Sequence, residues 1–340
     1  SAGAVPGPAS YGRGGTEPTL TDAFLLSGIL NPAYFLGGEI ALNVALAQKA
    51  YHALAKRLGL SAGRLAQGAI RLANSQMINA LKLVSVKRGY DPRDFALIAF
   101  GGGGPLHAAS VARELGMRKV LIPPMPGVFS AWGMLRADLR RDFLRTQLLP
   151  VNGDCLNALR HTFGELEKQA QRVFTAEGQA KQLRLERYVD ARYRGQEHTV
   201  KVSLGSSPLN AQTMPLLHRR FQQAHKAAYE FTLDDTLEIV NCHLVAHARL
   251  SRPRLEPLCG AKSHGQLRRK TSRKMFLAEK AGMVPVFERN DLAPNTRLTG
   301  PVVIEESTST TAVNPGDELR VDEYGNLHIM IAAKKRHGGR

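Results

Sequence analysis

Apolar residues recur at helical spacing along the first ninety residues of the chain. The pattern predicts a short helix in residues 19–30, a long helix over about 40–58 and a second long helix over 61–88. In the second long helix one face is apolar throughout, which predicts a buried stripe. The stripe comprises Ile70, Ala73, Met77, Ala80, Leu81 and Val84.

The period changes after residue 94. The run "FALIAF" (95–100) is short and continuously apolar, which is typical of a strand covered on both faces. Four glycines follow it, then a helical pattern "PLHAASVARELG" closed by Gly116, and then a second apolar run, "KVLIPP". The order strand, glycine-rich turn, helix, strand indicates a βαβ unit with a parallel pair of strands.

Beyond residue 150 the pattern predicts helices at 157–177 and 210–231, alternating strands around 182–204, a strand from Leu237 and a set of short strands near the end. These changes of character divide the chain into five parts. They are an α/β lobe at 1–150, an α+β region at 151–258, a basic linker at 259–274, a small β-rich unit at 275–334 and a basic tail at 335–340.

Composition excludes some classes of protein. Apolar residues make up 43% of the chain, which is ordinary for a globular protein, and no apolar run is long enough to span a bilayer. The N-terminus has no basic region followed by an apolar one, so we expect a soluble, cytoplasmic protein. The three cysteines are far apart and lack CxxC spacing, which suits a reducing compartment and disfavours a thiolate metal site.

The net charge of +17 raises the question of nucleic-acid binding. The basic residues are nevertheless scattered, and aromatic residues, on which bases stack, are only 6% of the chain. A solvated surface or a docking face for an acidic partner explains the charge better, so nucleic-acid and membrane binding are not expected.

The glycines Gly101, Gly102, Gly103 and Gly104 are the most informative local feature. A glycine turn between a strand and a helix lets a ligand reach backbone N–H groups at a helix N-terminus, which attracts phosphate. The spacing matches neither the GxxxxGK[ST] phosphate loop nor the GxGxxG dinucleotide motif. From the local sequence alone, both a nucleotide or anion contact and tight strand–helix packing remain open.

Three longer stretches carry a family resemblance. They are "GPASYGRGGTEPTLTDAFLLSGILNPAYFLGG", the block from "ANSQMINALKL" to "ADLRRDFLRT", and "GPVVIEESTSTTAVNPGDELRVDEYGNL". In this order they resemble the A subunit of the hydantoinase/oxoprolinase family, whose members include N-methylhydantoinase and oxoprolinase, with acetone and acetophenone carboxylases as relatives. The resemblance covers most of the chain and is weakest over about 152–181 and 259–286.

The resemblance implies an actin/hexokinase/Hsp70-like ATPase fold in which two α/β lobes clasp ATP with Mg²⁺. Residues 1–150 would then be the second lobe. The glycine turn and Pro105 would be the adenosine-side turn, and the helix that carries Asn74 and Met77 would pack beside it. Relatives commonly carry alanine where this chain has Gly103, and we expect that change to be tolerated.

The resemblance also implies partners. In the family the phosphate loops lie upstream of the segment that begins here, and this chain opens at Ser1 without a helix cap or a strand pattern. We therefore expect a fragment or one half of a split protein, completed by a first-lobe polypeptide or a missing N-terminal half. A hydantoinase B-type subunit and an oligomer are also expected.

Candidate chemistry gathers in "GGTEPTLTDA", where Thr16, Glu17, Thr19, Thr21 and Asp22 lie within a few residues. Hydroxyls and carboxylates so clustered are typical of sites for Mg²⁺, phosphate or an activated substrate. The three threonines are the phosphate- or metal-proximal candidates, and Glu17 and Asp22 are catalytic candidates. The alternative is that these residues only cap the helix that follows.

Histidines and a glutamate pair complete the candidates. His107, just inside the helix after the glycines, is a catalytic candidate that could donate to a phosphate or carbonyl oxygen, although packing histidines are common. His243 and His247 share i,i+4 spacing in a predicted strand, where they would share a face without forming a metal site. Glu305 and Glu306 are expected to decorate a solvated edge or a subunit contact.

The function that this sequence favours is the C-terminal portion of an ATP-dependent subunit that phosphorylates a carbonyl oxygen of a cyclic amide for ring opening. A subunit of an ATP-dependent ketone carboxylase is one alternative. A non-catalytic assembly subunit without the phosphate loops is the other.

Overall fold

The computed structural model describes residues 3–179, 183–252, 257, 269–277 and 280–333. These residues form two compact units, one within 3–134 and 257–333, the other within 135–252. The predicted boundary at 150 therefore falls inside the second unit. The predicted β-rich unit at 275–334 belongs with the first 134 residues, because its last strand pairs with a strand near residue 120.

The first unit contains five helices, most of them started by a side-chain cap. They are α1 (Leu20–Leu26), α2 (Val44–Arg57), α3 (Ala62–Val84), α4 (Gly104–Leu115) and α5 (Phe129–Met134). The side chains of Thr19, Asn43 and Ser61 accept the capping bonds of the first three. Helix α4 starts at the glycine turn without a side-chain cap and ends at Gly116, whose φ is +72°.

Two sheets complete the first unit. The strands β1 (Leu97–Ile98), β2 (Lys119–Ile122), β9 (Arg297–Thr299), β12 (Glu318–Val321) and β13 (Leu327–Met330) form a sheet in the order β1-β2-β13-β12-β9. Strands β7 (Thr271–Leu277), β8 (Lys280–Glu288), β10 (Val302–Glu306) and β11 (Ser309–Val313) form another, in the order β11-β10-β8-β7. The predicted βαβ unit is confirmed, since β1 and β2 pair in parallel on either side of α4.

The second unit is a four-stranded antiparallel sheet with two helices. The sheet order is β3-β6-β4-β5, from β3 (Leu139–Pro150), β4 (Leu183–Tyr193), β5 (Val200–Gly205) and β6 (Leu237–Ala248). Its helices are α6 (Cys155–Ala176) and α7 (Thr213–Tyr229). Inward side chains of both helices and all four strands form one apolar core, which includes Phe163, Phe174, Phe221 and Ile239.

Two predictions of burial were wrong. Of the predicted stripe on α3, Ala80 and Val84 are exposed and Met77 is 37% exposed, and the buried residue of α3 is instead Ala66. The run 95–100 is not covered on both faces, because Phe95, Ile98 and Phe100 are each about half exposed. The spacing of apolar residues predicts whether a segment is a helix or a strand, but it does not predict which apolar face is covered by another element of the fold.

No helix of the described residues is both long enough and apolar enough to cross a membrane.

Candidate functional site

The glycine turn leaves the N-terminus of α4 open. Gly101 adopts a φ of +85°, which favours glycine, and its N–H donates to the carbonyl of Pro126 at 2.7 Å. Gly102 and Gly103 are exposed, and no side chain caps the helix. Since the first N–H groups of a helix have no partner inside it, this turn presents backbone donors and a positive helix end to solvent.

The close neighbour of these glycines is the turn between β10 and β11, residues 307–308. The Ser309 hydroxyl donates to the carbonyl of Gly102 at 3.1 Å, and a Cβ on Gly102 would lie 3.4 Å from the carbonyl oxygen of Thr308. At Gly127 a Cβ would lie 2.7 Å from both Cβ and Oγ1 of Thr308. At Gly103 a Cβ would meet nothing within 4 Å. Packing against the turn therefore accounts for Gly127, whereas a Cβ at Gly102 would make only an ordinary van der Waals contact and one at Gly103 none.

A pair of alanine variants tests this close approach. Gly127→Ala should lower the free energy of unfolding by about 2 kcal/mol, because overpacking at Thr308 forces the turn to shift. Gly103→Ala should change it by less than about 0.5 kcal/mol. Urea unfolding followed by the fluorescence of Trp132, the single tryptophan, measures both. Equal stability of the two variants would contradict the packing described here.

A cavity of about 300 Å³ lies between α1, the loop after it, the start of α4 and the turn at 307–308. Its apolar walls are Leu20, Phe24, Leu30, Phe35, Leu36 and Leu106. Polar residues of the lining include Thr21, Asn31, Tyr34, His107, Glu305 and Thr310. The exposed glycines Gly102 and Gly103 form part of the same lining, so backbone donors and a small apolar space adjoin.

His107 is the buried imidazole of this cavity. It is 4% exposed, its ring meets Phe24 edge to face at 4.9 Å between centroids, and burial lowers its pKa to about 4. Its Nδ1 lies 2.6 Å from Oδ1 of Asn74. The imidazole is therefore neutral at pH 7, and Asn74 reaches it from α3 across the helix pair.

Asn74 also borders a second cavity of about 460 Å³. This cavity lies between α3 and α4 and is lined in part by Gln67, Ser110, Arg113 and Asn314. Arg113 is held away from any ligand role by an ion pair with Asp317 and a 2.9 Å hydrogen bond to the carbonyl of Ala332. The pair Asn74–His107 thus lies between the two cavities, with His107 in the wall that it shares with the glycines and Asn74 in the wall of the second cavity.

Asp22 is completely buried and its oxygens are occupied. They accept from the backbone N–H groups of Ala9 (3.2 Å), Ser10 (2.9 Å) and Thr19 (3.0 Å) and from the Thr19 hydroxyl (2.8 Å). The Thr19 hydroxyl also accepts from the Asp22 N–H, which makes a reciprocal capping box at the start of α1. The geometry favours a structural role, in which Asp22 ties the turn at 9–11 to α1.

The other candidates of the "GGTEPTLTDA" stretch do not converge with Asp22. Thr16 and Glu17 are exposed, and Thr21 lines the cavity. Among the described residues no group of three His, Cys, Asp or Glu side chains could hold a metal. Since Asp22 is saturated with donors and Glu17 lies apart, these residues do not fit the Mg²⁺ that the resemblance implies.

The sequence predicted a solvated edge or a subunit contact for Glu305 and Glu306 and did not predict their burial. Glu305 is 1% exposed and pairs with Arg273 at 2.8 Å and Lys270 at 3.1 Å. The side chain of Glu306 is 9% exposed and lies 3.8 Å from Arg289, and burial raises its pKa to about 7. The apolar run "VVI" directly before the pair was the signal that this strand is buried on both faces.

His243 and His247 lie on β6, as predicted, and share one face of the sheet. The side chain of His243 is hydrogen-bonded on both nitrogens, by Lys201 at Nδ1 and by Asp142 at Nε2, the latter at 2.7 Å. His243 is therefore part of a polar network on this face of the sheet.

Comparison with known proteins shows the family to which this chain belongs. The model of the hydantoinase/oxoprolinase family matches residues 1–143, and that of the hydantoinase/oxoprolinase C-terminal domain matches residues 152–331. The chain therefore belongs to the hydantoinase/oxoprolinase family, as the sequence resemblance predicts.

Individual relatives align with nearly the whole of this chain. The caprolactamase subunit alpha of Pseudomonas jessenii is 35% identical over 97% of this chain and 48% of its own length. The crystal structure of the ATP-dependent caprolactamase from the same organism has a TM-score of 0.77 at 32% identity, covering 98% of this chain and 49% of that one. The nucleotide-free acetone carboxylase structure has a TM-score of 0.79 at 23% identity, covering 96% and 48%, and shows the fold alone. The chain spans about half the length of the curated relatives it matches.

Proposed function

We propose that this chain is the C-terminal portion of an ATP-dependent enzyme subunit that phosphorylates the carbonyl oxygen of a cyclic amide, so that the ring can be opened. The observation that carries the proposal is the open glycine turn at the start of α4 beside a small apolar cavity. The similarity to an ATP-dependent caprolactamase supports the reaction class. In this proposal residues 1–150 contain the second lobe of an actin/hexokinase/Hsp70-like ATPase.

The nucleotide contact is assigned to Gly101–Gly104 and Pro105. Gly102, Gly103 and Gly104 would offer their backbone N–H groups and the positive end of α4 to the nucleotide, since an anion is stabilised there without side-chain charge. The N–H of Gly101 already donates to Pro126, and Pro105, which has no N–H, would only shape the turn. Asn74, the other nucleotide-binding candidate, acts at one remove, because its side-chain oxygen is bound to His107. When bound, ATP would supply the phosphoryl group, and the chain would position the nucleotide and exclude water.

The partner is proposed to be a first-lobe polypeptide, with a hydantoinase B-type subunit in the full assembly. Support comes from the edge strand β1 and the residues beside it, where Phe95, Ile98 and Phe100 are 49%, 52% and 48% exposed. Contiguous exposed apolar side chains are uncommon on monomers and favour a covering partner. The described cysteines Cys155 and Cys242 are free thiols, which supports a cytoplasmic, reducing location.

A charge placed at Gly103 tests the nucleotide contact. A Cβ at position 103 would have no neighbour within 4 Å, so the Gly103→Asp protein should fold normally. Its carboxylate should repel a bound phosphate, whereas Gly103→Ala adds only a methyl group. In the reconstituted assembly we expect the aspartate variant to raise the KM for ATP about tenfold, which corresponds to about 1.4 kcal/mol, and the alanine variant to leave it within twofold. Equal effects of the two would overturn the contact.

The substrate class is tested on the same assembly by ADP release. Release that depends on a hydantoin, oxoproline or caprolactam supports the cyclic-amide proposal. Release that depends on a ketone with bicarbonate would instead favour the carboxylase alternative. ATP binding without turnover in the presence of all subunits would favour the other alternative, a non-catalytic assembly subunit.

A further inference from the structure

The tautomer of His107 is set by its neighbour on α3. The Oδ1 of Asn74 can only accept a hydrogen bond, so at 2.6 Å it holds the imidazole proton on Nδ1. A neutral imidazole carries one proton, and Nε2 is therefore left with an unshared electron pair. Among the described residues none forms a hydrogen bond with this Nε2.

The imidazole is 4% exposed and forms part of the wall of the first cavity. An acceptor without a protein donor in such a wall is stabilised by a ligand or water that donates to it. The cavity around it is small and mostly apolar, and Phe24 and Leu106 flank the ring. A fitting ligand is thus a compact apolar ring that carries one N–H donor.

Backbone donors lie in the same wall of the cavity, one helical turn before His107. Gly102 and Gly103 lie in the lining at the uncapped N-terminus of α4. A carbonyl oxygen directed there would meet backbone N–H groups, and a phosphate bound at the helix end would lie next to it. A cis amide within a ring presents its N–H and its carbonyl oxygen side by side from one edge, which matches an acceptor and backbone donors one helical turn apart.

We infer that this cavity is the subsite for the ring of a small cyclic amide, with the substrate N–H donating to Nε2 of His107 and Asn74 acting as the positioning residue that fixes the tautomer. This inference rests on the proposed function for its substrate class. Beyond that function, the substrate ring lies in this cavity, its N–H group donates to Nε2 of His107, and the side-chain oxygen of Asn74 is needed to keep the proton on Nδ1.

Nuclear magnetic resonance of the chain with ¹⁵N-labelled histidine rings tests the inference without turnover. His107→Gln identifies the His107 signal among the 11 histidines. We expect pyrrolidinone, a lactam with an N–H, to shift the Nε2 resonance in a saturable way. N-methylpyrrolidinone has the same ring and no N–H donor, and it should leave Nε2 in place at the same concentration.

The positioning role has its own variant pair. Asn74→Leu removes the acceptor, so the Nδ1 and Nε2 signals should lose their single-tautomer pattern and the pyrrolidinone affinity should fall about tenfold, about 1.4 kcal/mol. Ser75→Ala changes the neighbouring position, whose hydroxyl only bonds to the Arg71 carbonyl, and should alter neither. An unchanged tautomer in Asn74→Leu would overturn the role of Asn74.

The remaining outcomes distinguish a failure of the proposed subsite from a failure of the proposed reaction. If neither lactam moves Nε2, or both move it equally, the subsite is overturned even where the assembly hydrolyses lactams. If adenosine moves it and pyrrolidinone does not, the cavity belongs to the nucleoside and the inference fails. If pyrrolidinone moves it but no lactam supports ADP release, the subsite stands and the proposed reaction fails.

Discussion

Asp22→Ala should lower the free energy of unfolding by about 4 kcal/mol, the largest effect expected of any single substitution considered for this protein. The substitution leaves three backbone N–H groups and the Thr19 hydroxyl without their acceptor in a fully buried position. It also removes one half of the capping box of α1. Urea unfolding followed by Trp132 fluorescence measures the loss.

The matched control is Glu17→Gln. Glu17 lies in the same stretch and is exposed, so its loss of charge should change the stability by less than about 0.5 kcal/mol. The pair also separates structure from catalysis. An Asp22→Ala protein with the wild-type unfolding midpoint and no ATP-dependent turnover would return Asp22 to the catalytic candidates.

Acidification should weaken the first unit through His107. The folded pKa is about 4 and the ordinary value is 6.5, so below pH 6.5 protons bind the unfolded chain more strongly than the folded one. The stability contributed by the neutral imidazole is therefore complete above pH 6.5 and is lost as the pH falls toward 4. The difference of about 2.5 pKa units corresponds to about 3 kcal/mol.

The measurement compares the wild type with His107→Gln at several pH values between 7.5 and 4, again by the fluorescence of Trp132. Other titrating groups act on both proteins, so their contributions cancel in the difference. We expect the wild type to lose its advantage steadily over this window. Two curves that stay parallel would show that the imidazole does not titrate as its burial requires.

Local patterns in the sequence predict much of the secondary structure. Helices α2, α3, α6 and α7 follow from apolar spacing, and the parallel pair of β1 and β2 follows from the strand, glycine turn, helix, strand order. The family resemblance is confirmed by the matched family models. These features depend on residues that are near one another in the chain, which is why one sequence suffices.

The features that were missed depend on distant residues. The burial of Glu305 depends on Arg273, 32 positions away, and that of Glu306 on Arg289, on a different element. The contact between Asn74 and His107 spans 33 positions and two helices. From the sequence, Asp22 could be either a catalytic residue or a helix cap. Its hydrogen bonds from the N–H groups of Ala9 and Ser10, which the sequence does not predict, favour the structural role.

The central position of β13 has a consequence for the order in which the protein folds as it is synthesised. This strand lies between β2 and β12, with Lys119 opposite Met330 and Ile122 opposite Leu327. The sheet that carries the glycine turn therefore cannot close until some two hundred further residues have left the ribosome. The unit within 135–252 has all four of its strands by residue 248 and can fold first. The apolar face of α4 thus stays uncovered while these residues are synthesised, and the nascent chain depends on protection from aggregation until β13 arrives.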